Sequence, residues 1–329
     1  MSYESKLDLI QTEKAIKFVK DHFEAELSRE LELTRVSAPL FVLESSGLND
    51  NLNGIERSVS FDIKETGKVA EVVHSLAKWK RHALGRYRFR IGTGIYTDMN
   101  AIRRDEVCDA IHSIYVDQWD WEKVIRREDR TLDYLRATVR QIYSVIYKVS
   151  RMVMEKYPQI NVDIPPDIAF VSTQELEDTY PNLTPKQRED AIAKKYGAVF
   201  LIGIGGKLKG SGAPHDGRAP DYDDWKLNGD ILIYYKPIGG ALELSSMGIR
   251  VDADSLLAQL KETGKEDRLS FPFHKALLAD ELPLTIGGGI GQSRLCMFML
   301  NKAHIGEVQS SIWPEQMLAE CEKKNIIIL

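Results

Sequence analysis

Four segments of the sequence gather side chains suited to binding phosphate, metal or amino groups. In residues 96–106 a strand-like approach ends in Arg103-Arg104-Asp105-Glu106. A guanidinium fork donates paired, charge-assisted hydrogen bonds to phosphate oxygens, which makes Arg103 a candidate phosphate ligand. A carboxylate such as Asp105 can restrain that arginine or take the amino group of adenine. Residues 240–251, preceded by Asp230, carry Glu243, a hard oxygen of the kind Mg2+ prefers, and Arg250, suited to a substrate anion or a phosphate. The third segment runs Gly287-Gly288-Gly289-Ile290-Gly291-Gln292-Ser293-Arg294. Its glycines permit close approach to a planar or phosphorylated ligand, and Arg294 falls at a helix start, where it can clamp a phosphate or cover adenine. The fourth, residues 112–122, sets Gln118 and Asp120 beside Trp119 and Trp121. Singly, each has a plainer explanation: a solvated charged turn, a glutamate paired at a sheet edge, core tryptophans. Core packing explains the rings but not Gln118 and Asp120.

Apolar periodicity outlines the scaffold that must hold these groups. A helix capped by Thr12 carries Ile16, Val19, Phe23, Leu27 and Leu31 on one face. Residues 35–42 read as extended, with Pro39 suited to an edge or an interface. Residues 49–54 form a turn-rich loop, and strands at 58–63 and 69–74 meet at Gly67 in a hairpin. Residues 76–84 are basic and amphipathic, and 87–91, 95–102 and 111–118 read as extended, so this half is largely antiparallel. Leu132, Leu135, Val139, Ile142, Ile146, Val149 and Val153 mark the longest helix, ending before Pro158. Thr184, Pro185 and Gln187 supply a cap, a first-turn proline and a capping-box partner for a helix that stops near Gly197. Strands follow at 198–204, 230–235 and 241–246, short helices at 251–260 and 271–278, then a glycine loop leading into a last apolar helix at 290–300. Residues 207–226, rich in glycine, proline and aspartate, are too long for an ordinary connection and read as an ordered ligand loop.

The 329 residues include 44 basic and 49 acidic side chains, a net charge of -5 that argues against general attraction to nucleic acid or an anionic membrane. No stretch approaches the roughly 18 apolar residues of a membrane span, and the first residues lack the apolar core of a secretory signal. Cys108, Cys296 and Cys321 lie far apart and read as reduced packing residues, and the seven histidines show no structural-metal spacing. Gly203-Ile204-Gly205-Gly206-Lys207 lacks the full spacing of a phosphate loop. The expectation is an intracellular, cytoplasmic protein.

Together, Asp50-Asn51-Leu52, residues 73–81, 115–122, 218–225, 243–251 and 287–294 resemble the bacterial type of aspartate:ammonia ligase, the asparagine synthetase A family. The likeness runs from about residue 12 to 314 and extends more remotely to the catalytic domains of class II aminoacyl-tRNA synthetases. It implies an α+β fold, a mixed, mainly antiparallel sheet flanked by helices, in a single catalytic domain over 1–329 with an active-site loop at 207–226. It implies ATP as cosubstrate with Mg2+ on Glu243 and Asp230, and nucleotide contacts from Arg103, Asp105, Glu243 and Arg294. Asp50, Ser75, Lys80, Gln118, Asp120, Asp223, Ser246 and Arg250 are placed around aspartate, the product amide or ATP. Arg103, Gln118, Arg250 and Arg294 are the expected catalytic groups. Residues 35–40 resemble a dimerisation motif, so a homodimer is implied. The implied chemistry is asparagine synthesis from L-aspartate and ammonia through β-aspartyl-AMP, releasing AMP and pyrophosphate. The alternatives are another amino-acid-adenylating enzyme of the class II superfamily and an inactive metabolite-binding paralogue.

Overall fold

The computed structural model describes residues 3–49, 52 and 56–329. Helix α1 (Leu9–Glu30) starts one turn earlier than the apolar stripe indicates, because Asp8 and not Thr12 is its cap. The Asp8 carboxylate accepts from the Gln11 amide at 2.7 Å while the Gln11 side chain accepts from the Asp8 amide at 3.2 Å, a reciprocal pair that satisfies two otherwise orphaned donors. Thr12 lies buried within the helix and accepts from Lys302 at 2.9 Å. Pro39 separates β1 (Leu33–Arg35) from β2 (Phe41–Leu43), and the two strands enter different sheets.

The expected hairpin is β3 (Ser60–Ile63) and β4 (Lys68–Val72), turning at Gly67 with φ +63, and β2 completes a small antiparallel sheet in the order β2-β4-β3. Helix α2 (Ala77–Tyr87) follows. Arg88 then takes the left-handed conformation at φ +57, so the stretch expected to be extended at 87–91 is a helix end and a turn. Next come β5 (Gly94–Ile102), β6 (Tyr115–Val124), α3 (Leu132–Lys156), β7 (Ala169–Ser172), α4 (Thr173–Thr179) and α5 (Pro185–Tyr196). Thr184 caps α5 and Gly197 ends it, as the sequence indicates. The chain continues through β8 (Ala198–Ile202), β9 (Asp223–Tyr235), β10 (Gly240–Arg250), α6 (Ala253–Thr263), α7 (Pro272–Leu278), β11 (Thr285–Gly291), α8 (Gln292–Met299) and α9 (Glu315–Lys323).

The large sheet has the order β1-β5-β6-β11-β10-β9-β8-β7, antiparallel except for the parallel pairs at its two edges. The expected glycine loop is therefore a central strand, hydrogen-bonded to β6 on one side and β10 on the other. One face of the sheet is sealed by α1, α3 and α8 around Phe23, Trp119, Trp121, Ile142 and Met247, all at most 1 % exposed. The Phe23 and Trp119 rings pack 4.9 Å apart. Because side chains alternate along a strand, this burial sends Gln118, Asp120 and Glu122 to the opposite face.

Candidate active site

That opposite face floors a cavity of about 440 Å3, within the range of small-ligand sites. Ser75, Arg103, Asp105, Gln118, Asp120, Asp223, Asp230, Glu243, Ser246, Arg250 and Arg294 all line it, so the structure gathers these expected site residues in one place. Asp50 lies outside the described residues. Lys80 sits beneath the floor rather than in the cavity, with none of its surface exposed. Its ammonium donates to Asp120, to the Trp121 carbonyl at 2.8 Å and to the Gly288 carbonyl at 3.2 Å, which uses its three hydrogens.

A β-bulge aims the remaining side chains. Between Glu243 and Ser245 β10 carries one extra residue relative to β9, so Glu243 and Ser246 both reach the cavity despite their odd spacing, and Arg250, four residues past Ser246, follows by ordinary alternation. Arg250 is 3 % exposed and binds Glu122 through Nε at 2.9 Å and Nη2 at 2.8 Å, and Asp223 through Nη1. Burial disfavours its charge, but Glu122 and Asp223 outweigh that and raise its pKa further. Burial pushes the Asp120 and Asp223 carboxyls up against the pull of Lys80 and Arg250 respectively, whereas at Glu122 the two cations overcome burial and hold the carboxyl below its usual range. Three carboxylates thus share two cations in the floor. The excess negative charge suits a ligand ammonium.

The glycines of β11 make this floor buildable. A methyl at Gly287 would overlap the Glu122 carboxylate, and one at Gly289 would overlap the Gln118 amide. At Gly288 the obstacle is Met247, on the core side. In the structure, then, these glycines make room for the floor's own side chains.

The other wall is basic and more open. Arg103 follows β5, its amide held by the Ile114 carbonyl at 2.8 Å, and its guanidinium lies 3.7 Å from Glu106. Its Nε is buried without a hydrogen-bond partner. Asp105 is occupied by a two-pronged bond from Arg57, which holds its carboxyl down to about 2. Arg294, in the first turn of α8, is 3.6 Å from Glu243 and reaches the Ile111 and Glu243 carbonyls at 3.3 Å. The Ser293 amide in that turn is capped from another strand by Asp117 at 3.0 Å.

Asp230 and Glu243 are the hard-oxygen pair facing this wall. Burial raises the Asp230 carboxyl, Arg218 offsets part of that and the Glu243 charge adds to it; Glu243, despite partial burial, is held low by Arg294 and Arg218. Arg218 reaches to Asp230 at 2.7 Å and to the Ser246 hydroxyl from the stretch expected to be a loop at 207–226, of which residues 223–226 instead begin β9 because they pair in the large sheet. Neither Arg218 nor Glu122 is among the site residues expected from the sequence. Arg218 is the sole arginine of residues 207–226, and Glu122 continues the alternation begun by Gln118 and Asp120, so each had a signal.

The sheet and its charged cavity define a class II aminoacyl-tRNA synthetase-like fold. Asparaginyl-tRNA synthetase from Pyrococcus horikoshii, solved with asparaginyl-adenylate, superposes with a TM-score of 0.69 at 15 % identity, covering 92 % of this chain and 70 % of that one. Aspartyl-tRNA synthetase from Entamoeba histolytica gives a TM-score of 0.61 at 14 % identity over 91 % of this chain and 58 % of that one. Within that class, the aspartate-ammonia ligase family model matches residues 10–325, and the chain belongs to that family. The aspartate–ammonia ligase of Fusobacterium nucleatum subsp. nucleatum is 61 % identical over 329 residues, all of both chains. That of Clostridium perfringens (strain SM101 / Type A) is 61 % identical over 328 residues, 99 % of this chain and 97 % of the relative.

Proposed function

We propose that this protein makes asparagine from L-aspartate and ammonia with cleavage of ATP to AMP and pyrophosphate. The observation that carries the reading is the full-length 61 % identity to a relative named for that reaction, joined to a floor with excess negative charge beside an arginine wall. The α-ammonium of aspartate binds at the Asp120 and Asp223 oxygens not committed to Lys80 and Arg250. Gln118 reads the side-chain amide of the product, and Ser75 and Ser246 supply hydroxyls. Arg103 and Arg294 bind the triphosphate.

In the first step a side-chain carboxylate oxygen of aspartate bonds to the α-phosphorus and pyrophosphate leaves. In the second, ammonia bonds to the activated carbonyl carbon, AMP leaves and the nitrogen loses a proton. Alignment and charge stabilisation by the arginines lower both barriers. Asp230 and Glu243 are hard oxygen donors on adjacent strands, one already holding a cation in Arg218, and they fit Mg2+. When bound, the ion would neutralise phosphate charge.

The protein is cytoplasmic and forms a homodimer in this reading, requiring neither nucleic acid nor a membrane. Among the described residues no helix is long and apolar enough to cross a membrane. Exposed Leu40, Phe41 and Phe61 on and beside the small sheet support self-association, for which burial of about 1,200–2,000 Å2 in total is usual. Residues 1–329 act as one catalytic unit, with 207–222 as its active-site loop.

Isotope exchange between pyrophosphate and ATP tests the reaction path. With Mg2+ and aspartate but no ammonia, exchange is expected; adding ammonia yields asparagine and AMP. Stoichiometric ADP and orthophosphate, without aspartate-dependent exchange, would exclude it. Sedimentation at micromolar concentrations checks the dimer.

A further inference from the structure

Beside the cavity, and outside the groups assigned above, lies a second buried ionic cluster. Asp221 is fully buried, and its Oδ2 accepts from Lys78 at 2.9 Å, Arg268 at 2.9 Å and His274 Nε2 at 3.0 Å. An ionised carboxylate has no hydrogen to give, so Nε2 of His274 is the donor. Burial raises the Asp221 carboxyl, but Lys78, His274 and Arg268 more than reverse that and hold it well below the ordinary carboxylate range. Stability alone is a poor reason for such a cluster, because apolar replacements of buried ion groups are often neutral or stabilising.

Its connections are more informative. Lys78 lies on α2, and its ammonium also donates to the Asn49 carbonyl at 3.3 Å. The Asn49 side chain in turn accepts from the His74 amide at 2.8 Å, fixing the chain beside Ser75 at the cavity. Two residues past Lys78, Lys80 holds Asp120. Two residues past Asp221, Asp223 binds Arg250. Gln259 grips the same segment, donating to the Pro220 and Asp223 carbonyls at 2.9 Å each. The anchored segments lead to Ser75, Asp120 and Asp223, while the triphosphate-facing Arg103 and Arg294 hang from β5 and α8.

We propose that Asp221 is a positioning residue for the amino-acid half of the site: through Lys78 it locks α2 and the 72–75 segment to the strand that presents Asp223. It does not touch substrate. The inference rests on the reading of the floor as the aspartate site.

The test varies aspartate and ATP separately with wild type, Asp221→Asn and Lys78→Met. Lys78→Met leaves Asp221 held by Arg268 and His274, so it decides the matter if Asp221→Asn is not recovered folded. The KM for aspartate is expected to rise about tenfold or more, since ångström-scale misplacement has effects of that size. The KM for ATP should stay within about twofold and kcat at saturating aspartate within about threefold of wild type. A merely structural role would leave the aspartate KM unchanged in folded variants, or raise both KM values together, and either result overturns the proposal. Wild type that forms no asparagine would instead end the functional reading on which it rests.

Discussion

The floor and the arginine wall of the cavity are both charged, yet they hold their charge differently. In the floor, Lys80 and Arg250 are buried against Asp120, Glu122 and Asp223 with direct hydrogen bonds. In the wall, Arg103 and Arg294 lie 3.7 and 3.6 Å from their carboxylates and are partly open to solvent. The floor's cations are thus committed to the protein, whereas those of the wall retain hydrogen-bonding capacity for a ligand. Damage to the floor should therefore register in folding and catalysis together, and damage to the wall in catalysis alone.

The largest effect should come from Arg250→Met, which strands Glu122 and Asp223 as buried carboxylates. Breaking a buried pair from one side costs about 3–5 kcal/mol. Urea unfolding should show a loss of that order together with loss of pyrophosphate exchange. A variant of unchanged stability would erase the distinction between the two regions.

Arg103→Ala is the reciprocal case. Losing a charge-stabilising donor should raise the adenylation barrier by about 3 kcal/mol, on the order of a hundredfold in exchange rate, with an unchanged melting profile. Near-normal exchange by the folded variant would remove Arg103 from the wall's working groups.

Gly289→Ala should have a smaller and more selective effect. Its methyl must displace Gln118, and overpacking of this kind costs about 1–3 kcal/mol. The KM for aspartate should rise while that for ATP stays near wild type, and equal changes in both would show that the floor and wall are not separable.

The smallest effect is expected in the acid limb of stability. Asp221 titrates lower in the folded chain than in the unfolded one, where an aspartate lies near about 3.9. Its contribution is complete above the unfolded value and declines as pH falls toward the folded one. Urea midpoints at pH 5 and pH 3 should differ less in Asp221→Asn than in wild type.

Much of this arrangement was legible in the sequence because separate signals agreed. Thr184, Pro185 and Gln187 specify a helix start by local hydrogen bonding alone, and α5 begins there. The arginines, acids and glycines that carry the family resemblance converge on one cavity. Long-range choices were harder to read. A run of glycines has no apolar pattern, so β11 looked like a loop until the bulk of Gln118, Glu122 and Met247 on its neighbours explained the missing side chains. Lys80 is placed around the substrate by the family resemblance alone, and a motif match carries no information on burial: Lys78, Lys80 and Arg81 are all buried. The cap of α1 shifted to Asp8 because the reciprocal bond to Gln11 satisfies more of the helix end than Thr12 could.

The position of β11 also bears on how the chain is born. It is the last strand to be synthesised, yet it lies between β6 and β10, and without residues 285–291 the two halves of the sheet have no common seam. Emerging from the ribosome, the β5–β6 ribbon and the β8–β10 ribbon must each wait with an unpaired central edge, a state prone to misassociation. Contacts of such long sequence separation form late, so the nascent protein should gain its ligand-binding competence in one final closure rather than by increments.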